Sequence, residues 1–387
     1  MKKFLAVFIV VAMLFTATAC GKTEPLVPPT EGQLYTEMGI PLELTYRSGG
    51  VERCAWDVEM YNNRLYVGSG DYDRNCGPVN VWYYDFEKKS WEIDGFLKDE
   101  QIGRFRVIDN KLYVPGFDPR SSWERGTYYV LDGENWQTYE SLTNAAHNFD
   151  IIKHDGKLFA GLGSVSGGSP ILVTTDETAW EPVALYKDGA EVNTENYTYV
   201  RVYDFFTLNG ELYAYFRLGG NGLPSFYDIY RYDGEKFVFH SDLASKLTYN
   251  RRNTYTHFQQ NVEYKGYQYF TTGNFYRSAD MITPEPLTLD GDAEVNDLRV
   301  IGKKLYALCS EEYVTDEGDV AFYNSLRVTK DGQNYTEVFR FSYPVRALSF
   351  TYQSGTVFLG MGFGTKAAKD FGYYNENGMI LAINKKL

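Results

Sequence analysis

Asn62-Asn63-Arg64-Leu65-Tyr66 decides how this chain folds, because its pattern returns along the sequence: a short turn, a charged residue, Leu and an aromatic. It recurs as Asp109-Asn110-Lys111-Leu112-Tyr113, Asp155-Gly156-Lys157-Leu158-Phe159, Asn209-Gly210-Glu211-Leu212-Tyr213 and Gly302-Lys303-Lys304-Leu305-Tyr306. Weaker copies stand at Lys265-Gly266-Tyr267-Gln268-Tyr269 and Ser354-Gly355-Thr356-Val357-Phe358, making seven. Alternating segments such as Phe105-Arg-Val-Ile and Leu298-Arg-Val-Ile precede the turns, and Asn-Asn, Asp-Asn, Asp-Gly and Asn-Gly accept the positive φ of tight hairpins. The reading is strand A, turn, strand B.

A second signature, Asp-x-x-x-aromatic, follows four of the copies: Asp132 to Trp136, Asp176 to Trp180, Asp233 to Phe237 and Asp331 to Tyr335. A longer version runs from Asp85 to Trp91. These predict the hairpin between strands C and D. Four strands per repeat cannot bury their own apolar faces, and stacking neighbours makes the core continuous. The expected fold is therefore an all-β β-propeller of seven four-stranded blades, with six or eight as alternatives. Met379-Ile-Leu-Ala-Ile383 suits strand C of the last blade, and Leu42-Glu-Leu-Thr-Tyr46 alternates correctly to supply its missing strand D. The expected boundaries are a signal peptide over 1–19, a lipidated cysteine and flexible tether over 20–41, and the propeller over 42–387.

The turn and Asp-Gly-x-x-aromatic patterns resemble those of kelch-type and Asp-box (sialidase-type) propellers across the whole mature chain. The resemblance is architectural. At the strand B ends Gly68-Ser-Gly70 and Gly161-Leu-Gly163 replace the kelch double glycine, and the Asp-box spacing is one residue short.

Composition agrees with an all-β fold, since aromatic residues make up 17% of the chain, with 34 Tyr and 25 Phe against 4 His. The formal net charge is −13, which becomes −15 when a cleaved leader takes Lys2 and Lys3 with it. Such a chain repels nucleic acid and anionic headgroups.

Met1-Lys2-Lys3, the apolar run from Phe4 to Phe15 and Thr-Ala-Thr-Ala before Cys20 form an export signal, too short to span a bilayer. The small residues ahead of Cys20 resemble the bacterial lipobox, with Ala17 where Leu is commoner. That resemblance implies a lipidated, palmitate-carrying Cys20 on the outer face of a bacterial membrane. The Pro-, Gly-, Thr- and Glu-rich stretch from Gly21 to Pro41 reads as a tether. In an exported protein Cys54 and Cys76 are close enough in sequence to pair as a disulfide, leaving Cys309 over.

Chemistry is expected where strand A begins and strands B and C are joined, since both open on one face. The B–C segments carry Tyr72, Phe117, Trp123, Phe226, Phe363, Phe371, Tyr373 and Tyr374, among Asp71, Asp73, Asp118 and Arg120. Strand A starts add Arg53, Trp56, Arg104, His147, Asn148, Arg201, Tyr203, Gln260, Asn261, Asp297 and Arg346. Aromatic faces beside guanidinium and carboxylate groups suit sugars or peptides. Against this, the arginines can pair with Asp57, Asp150 or Asp297 and only stiffen the channel wall. Asp71-x-Asp73-x-Asn75 opens like a calcium loop, but Trp82 stands where its closing Glu belongs. The acidic loop Glu311, Glu312, Asp316 and Asp319 is the other place for a cation, but solvated loop charge accounts for both, so no cofactor is expected, with a structural calcium ion as the alternative. No Gly-x-Ser-x-Gly, phosphate loop or His-Glu-x-x-His occurs, so nothing forces an enzyme. The leading expectation is a non-catalytic propeller binding a glycan or peptide. The alternatives are a sialidase-like glycan hydrolase or lyase acting at an arginine-lined channel mouth, and an envelope protein–protein scaffold.

Overall fold

The computed structural model describes residues 26–27, 31–44, 50–71, 76–119, 125–164, 168–220, 223–247, 260–272, 274–363 and 374–387. All seven A–B hairpins form, and each turn has at least one residue in the left-handed conformation: φ is 47° and 58° at Asn62 and Asn63, 48° and 59° at Asp109 and Asn110, 53° and 81° at Asn209 and Gly210, and 62° at Gly302. Asn, Asp and Gly tolerate that region, so the turn chemistry fixes strand register locally. The second signature works differently. The Asp331 carboxylate accepts from the backbone N–H groups of Gln333 and Asn334 at 2.9 and 2.8 Å, and Asp176 and Asp233 do the same in their own hairpins.

The fold is an all-β β-propeller. Consecutive inner strands touch around an axis, and the last, Arg346–Gln353, reaches the first, Asp57–Tyr61. Apolar clusters fill the wedges between sheets, as where Tyr61, Tyr66 and Val81 meet Leu112, Val114 and Tyr129. Burial of these faces supplies the main driving force.

The expectation of seven separate blades is corrected. Five separate four-stranded sheets form, and the strands around Lys157 and Glu211 belong to one continuous twelve-stranded sheet. The cause lies at Gly161-Leu-Gly163. The strand Lys157–Ser164 pairs first with Ile171–Thr174, and then its end crosses to Tyr199–Leu208, with Gly163 opposite Arg201. A Cβ on Gly161 would approach Val202 to 2.9 Å, and one on Gly163 would approach His147 and Phe149 to 2.8 and 2.9 Å. Only glycine lets the two sheets come this close.

Closure also differs from expectation. Thr36–Gly39, not Leu42–Tyr46, pairs with Ile380–Asn384, while Pro41–Leu44 forms a 3-10 turn and residues 45–49 lie outside the described ones. Pro41 has no N–H to donate, which disfavours a ladder there. Val27 is buried against Leu65, Phe358 and Ala382, and its carbonyl accepts from Asn384 Nδ2 at 2.9 Å. The folded body therefore begins well before residue 42.

Candidate functional site

One position recurs on or just before every inner strand, five residues before the first residue of the A–B turn: Asp57, Arg104, Asp150, Asp204, Gln260, Asp297 and Ser349. Three of its carboxylates accept from the inner-strand N–H of a following repeat: Asp57 from Phe105 at 2.8 Å, Asp150 from Phe205 at 2.9 Å and Asp297 from Phe350 at 2.9 Å. Arg104 bridges Asp150 at 2.9 Å and Asp204 at 2.6 Å, Arg106 grips Asp150 through Nε and Nη2, and Arg299 contacts Asp57, Glu59 and Asp297. Burial raises the Asp204 and Asp297 pKa values, with Arg104 and Arg299 opposing it. Asp57 is pushed up to about 7 by burial, against the pull of Arg299. At Asp150 the two arginines outweigh burial and hold the carboxyl below its usual range. This network ties the sheets together around the axis.

The expected arginine-lined mouth therefore does not exist as a group. Arg104 is consumed by the wall, Arg346 pairs with Glu294 at 2.8 Å and lies 5.2 Å from the Phe322 ring centroid, and Arg53 is 1% exposed. Cys54 and Cys76 form no disulfide. Cys54 is buried against Gly362 and its thiol donates to the Phe363 carbonyl at 3.1 Å, so it faces the last sheet instead of its own B–C loop. Asp71 is buried, and among the described residues no group of three or more His, Cys, Asp or Glu side chains is arranged to hold a metal ion. Cys20, Tyr72, Asp73, Trp123, Tyr373 and the Phe226 side chain lie outside the described residues. Phe363 packs on Tyr374 and on Phe322, which belongs to the strand Val320–Thr329 of the preceding sheet.

Arg201 has a different setting. The twelve-stranded sheet aligns Phe117, His147, Gly163, Arg201, Arg217 and Tyr227 as successive cross-strand partners. Directly opposed residues share a face, so this row runs about 24 Å across five strand spacings on the loop side. Rings flank it. Phe149 lies 5.4 Å from Phe117, 5.0 Å from His147 and 4.9 Å from Tyr203, between centroids. The Arg201 guanidinium stands 5.9 Å from the Phe149 centroid and 5.5 Å from that of Tyr199, and Arg217 stands 5.3 and 5.7 Å from Tyr199 and Tyr227. Among the described residues neither guanidinium has a carboxylate at ion-pair distance, in contrast to Arg104, Arg299 and Arg346.

Two guanidinium groups directly opposite each other destabilise a strand pair. The surrounding π-faces offset part of that cost. Burial, and then Arg201, pull the His147 pKa down to about 3, so its imidazole is neutral at pH 7. Burial raises the Asp118 pKa while Arg201 opposes the shift. The row thus presents two half-buried cations among aromatic faces, with a neutral imidazole at one end: a surface shaped to accept an anion carried on a flat, ring-containing molecule. Sequence reasoning had Arg201, His147, Tyr203, Phe117 and Asp118 among its candidates. It did not single out Tyr227, although that residue closes a segment read as a B–C loop, and it passed over Phe149, Tyr199 and Arg217, whose only signal was alternation along their strands.

No protein-family model and no curated protein matches the chain. Among solved structures it is similar to the polysaccharide lyase Uly1, at 10% identity over 94% of both chains and a TM-score of 0.48. It is also similar to Sqt1 of Saccharomyces cerevisiae, at 9% identity over 88% of this chain and 98% of that one, with a TM-score of 0.44. The β-propeller domain of the Trilobed protease from Pyrococcus furiosus matches at 15% identity over 72% and 82% of the two chains, with a TM-score of 0.36.

Proposed function

We propose that this chain is an extracytoplasmic lipoprotein anchored through Cys20, whose propeller binds an acidic glycan along the row from Phe117 to Tyr227. The observation that carries the reading is the directly opposed Arg201 and Arg217, neither of which has a carboxylate at ion-pair distance among the described residues, and which stand against Phe149, Tyr199 and Tyr227. A uronate or sulfate group would neutralise both guanidinium groups, and its sugar rings would stack on the flanking aromatics. The scaffold is preformed, so little ordering entropy opposes binding. The test is an array of uronate-bearing, sulfated and neutral glycans and of peptides, probed with the soluble fragment starting at Gly21. Selective retention on acidic glycans supports the reading; retention on peptides alone, or on neutral glycans equally well, overturns it.

A second reading is a glycan lyase or hydrolase, favoured by one feature: the row holds the His147 imidazole two strands from Arg201, a proton-accepting side chain near a group that could hold an anion. Incubation with uronate polysaccharides, followed by size analysis of the products, separates it from simple binding. Chain shortening that His147→Ala abolishes would establish the enzyme.

A further inference from the structure

Leu26 and Val27 are the first described residues, and they are packed against the body. They share an apolar cluster with Met60, next to an A–B turn, and with Phe86 and Trp91, which flank a C–D turn. Asn384, which holds the Val27 carbonyl, pairs with Thr356 at the start of a strand B, again beside an A–B turn. From there Thr36–Gly39 runs toward the opposite side, since Thr36 pairs with Ala382 and Gly39 with Ile380. The chain therefore joins the body on the turn face. The row of Arg201 and Arg217 lies at the other face, where strands A begin and strands B end.

The reach of the anchor is short. Six residue steps separate Cys20 from Leu26, which at full extension span about 20 Å. The strand Lys304–Val314 has 11 residues and so measures about 36 Å from the turn face to the loop face. A lipid on Cys20 cannot carry the bilayer surface around to the loop face.

We propose that the turn face of the propeller is its membrane-facing surface, held against a lipid bilayer, so that the Arg201–Arg217 row points away from the membrane toward ligands in the surrounding medium. This rests on the reading of Cys20 as the lipid anchor. It also assigns the two faces opposite tasks: tight two-residue turns toward the headgroups, and the ligand row toward the exterior.

The test uses the full lipidated chain in phosphatidylglycerol-containing vesicles, with a fluorescent donor at Lys303→Cys on the turn face or Val314→Cys on the loop face. Both belong to one hairpin, Val314 is 65% exposed, and Cys76→Ser supplies the background because Cys54 and Cys309 are buried. Energy transfer to acceptor-labelled headgroups should be severalfold stronger from position 303 than from 314. A ten-residue Gly/Ser insertion after Gly21, adding on the order of 30 Å of contour, should largely remove the difference. Equal transfer from both sites, or stronger transfer from 314, overturns the orientation while leaving the anchor intact. A Cys20→Ala chain that binds the vesicles as the wild type does, or mass spectra without an acyl chain on Cys20, overturns the anchor and the orientation together.

Discussion

Replacing Arg104 with Ala tests whether the channel arginines are wall or ligand site. Arg104 is 19% exposed and joins two carboxylates that are almost wholly buried, Asp150 at 2.9 Å and Asp204 at 2.6 Å. Asp150 keeps its two bonds from Arg106 and the Phe205 N–H, so it stays compensated. Among the described residues Asp204 keeps one hydrogen bond, from Asn261 Nδ2 at 3.5 Å, and the weaker attraction of Arg106. The cost is therefore that of one stranded buried carboxylate, about 3–5 kcal/mol. At roughly 2 °C per kcal/mol for a large domain, thermal unfolding monitored by circular dichroism should shift down by roughly 5–10 °C. Without Arg104 the folded pKa of Asp204, already raised by burial, climbs further, so the deficit shrinks as pH falls and Asp204 takes up a proton. Arg104→Ala with Asp204→Ala should recover part of the loss, because the stranded charge is gone. An unchanged melting temperature together with weakened ligand capture would refute this and return Arg104 to the binding site.

Three further outcomes follow from the same geometry. Since Asp57 has a folded pKa near 7, well above its unfolded value, the folded state holds a proton that the unfolded state has lost; stability should therefore decline as pH rises from about 4 to 7, and Asp57→Asn should flatten that slope in denaturant titrations. Gly163→Ala would put a methyl group within 2.8–2.9 Å of the His147 and Phe149 rings, so it should cost about 1–3 kcal/mol and disturb the ligand row, read by unfolding and by calorimetry. Peptide mapping without reduction should find no Cys54–Cys76 bridge, and the Cys54 and Cys309 thiols, pushed up by burial, should resist alkylation until the protein is unfolded.

The hairpins were legible because turn residues act locally. Asn62-Asn63 and Asn209-Gly210 need positive φ, and that need is written in the residues themselves. Asp280 shows the limit. It caps its turn through the N–H groups of Ile282 and Thr283 at 2.8 Å, but the Asp-x-x-x-aromatic spacing is absent there, so the signature passed over it. Closure by Thr36–Gly39 was not legible, because Leu42 to Tyr46 alternates as well and only the missing Pro41 donor argued against it. The departure from the kelch glycine pattern at Gly161-Leu-Gly163 was visible as an anomaly. Its meaning, a strand crossing to the next sheet, needs the positions of Val202, His147 and Phe149, which no local pattern holds. The arginines divide for the same reason: Arg104 and Arg201 look alike in sequence, and the difference is whether a carboxylate from a distant strand lies within reach.

The central claim is that Arg201 and Arg217 together hold an anionic glycan. The most direct measurement is titration calorimetry of the acidic glycan selected on the array against wild type, Arg201→Ala, Arg217→Ala and the double variant, at low and high salt. Each single change should weaken binding by about 2 kcal/mol, more than tenfold, with a melting temperature that does not fall, and the wild-type affinity should fall with salt. Undiminished affinity in the double variant, with the fold intact, would contradict the account.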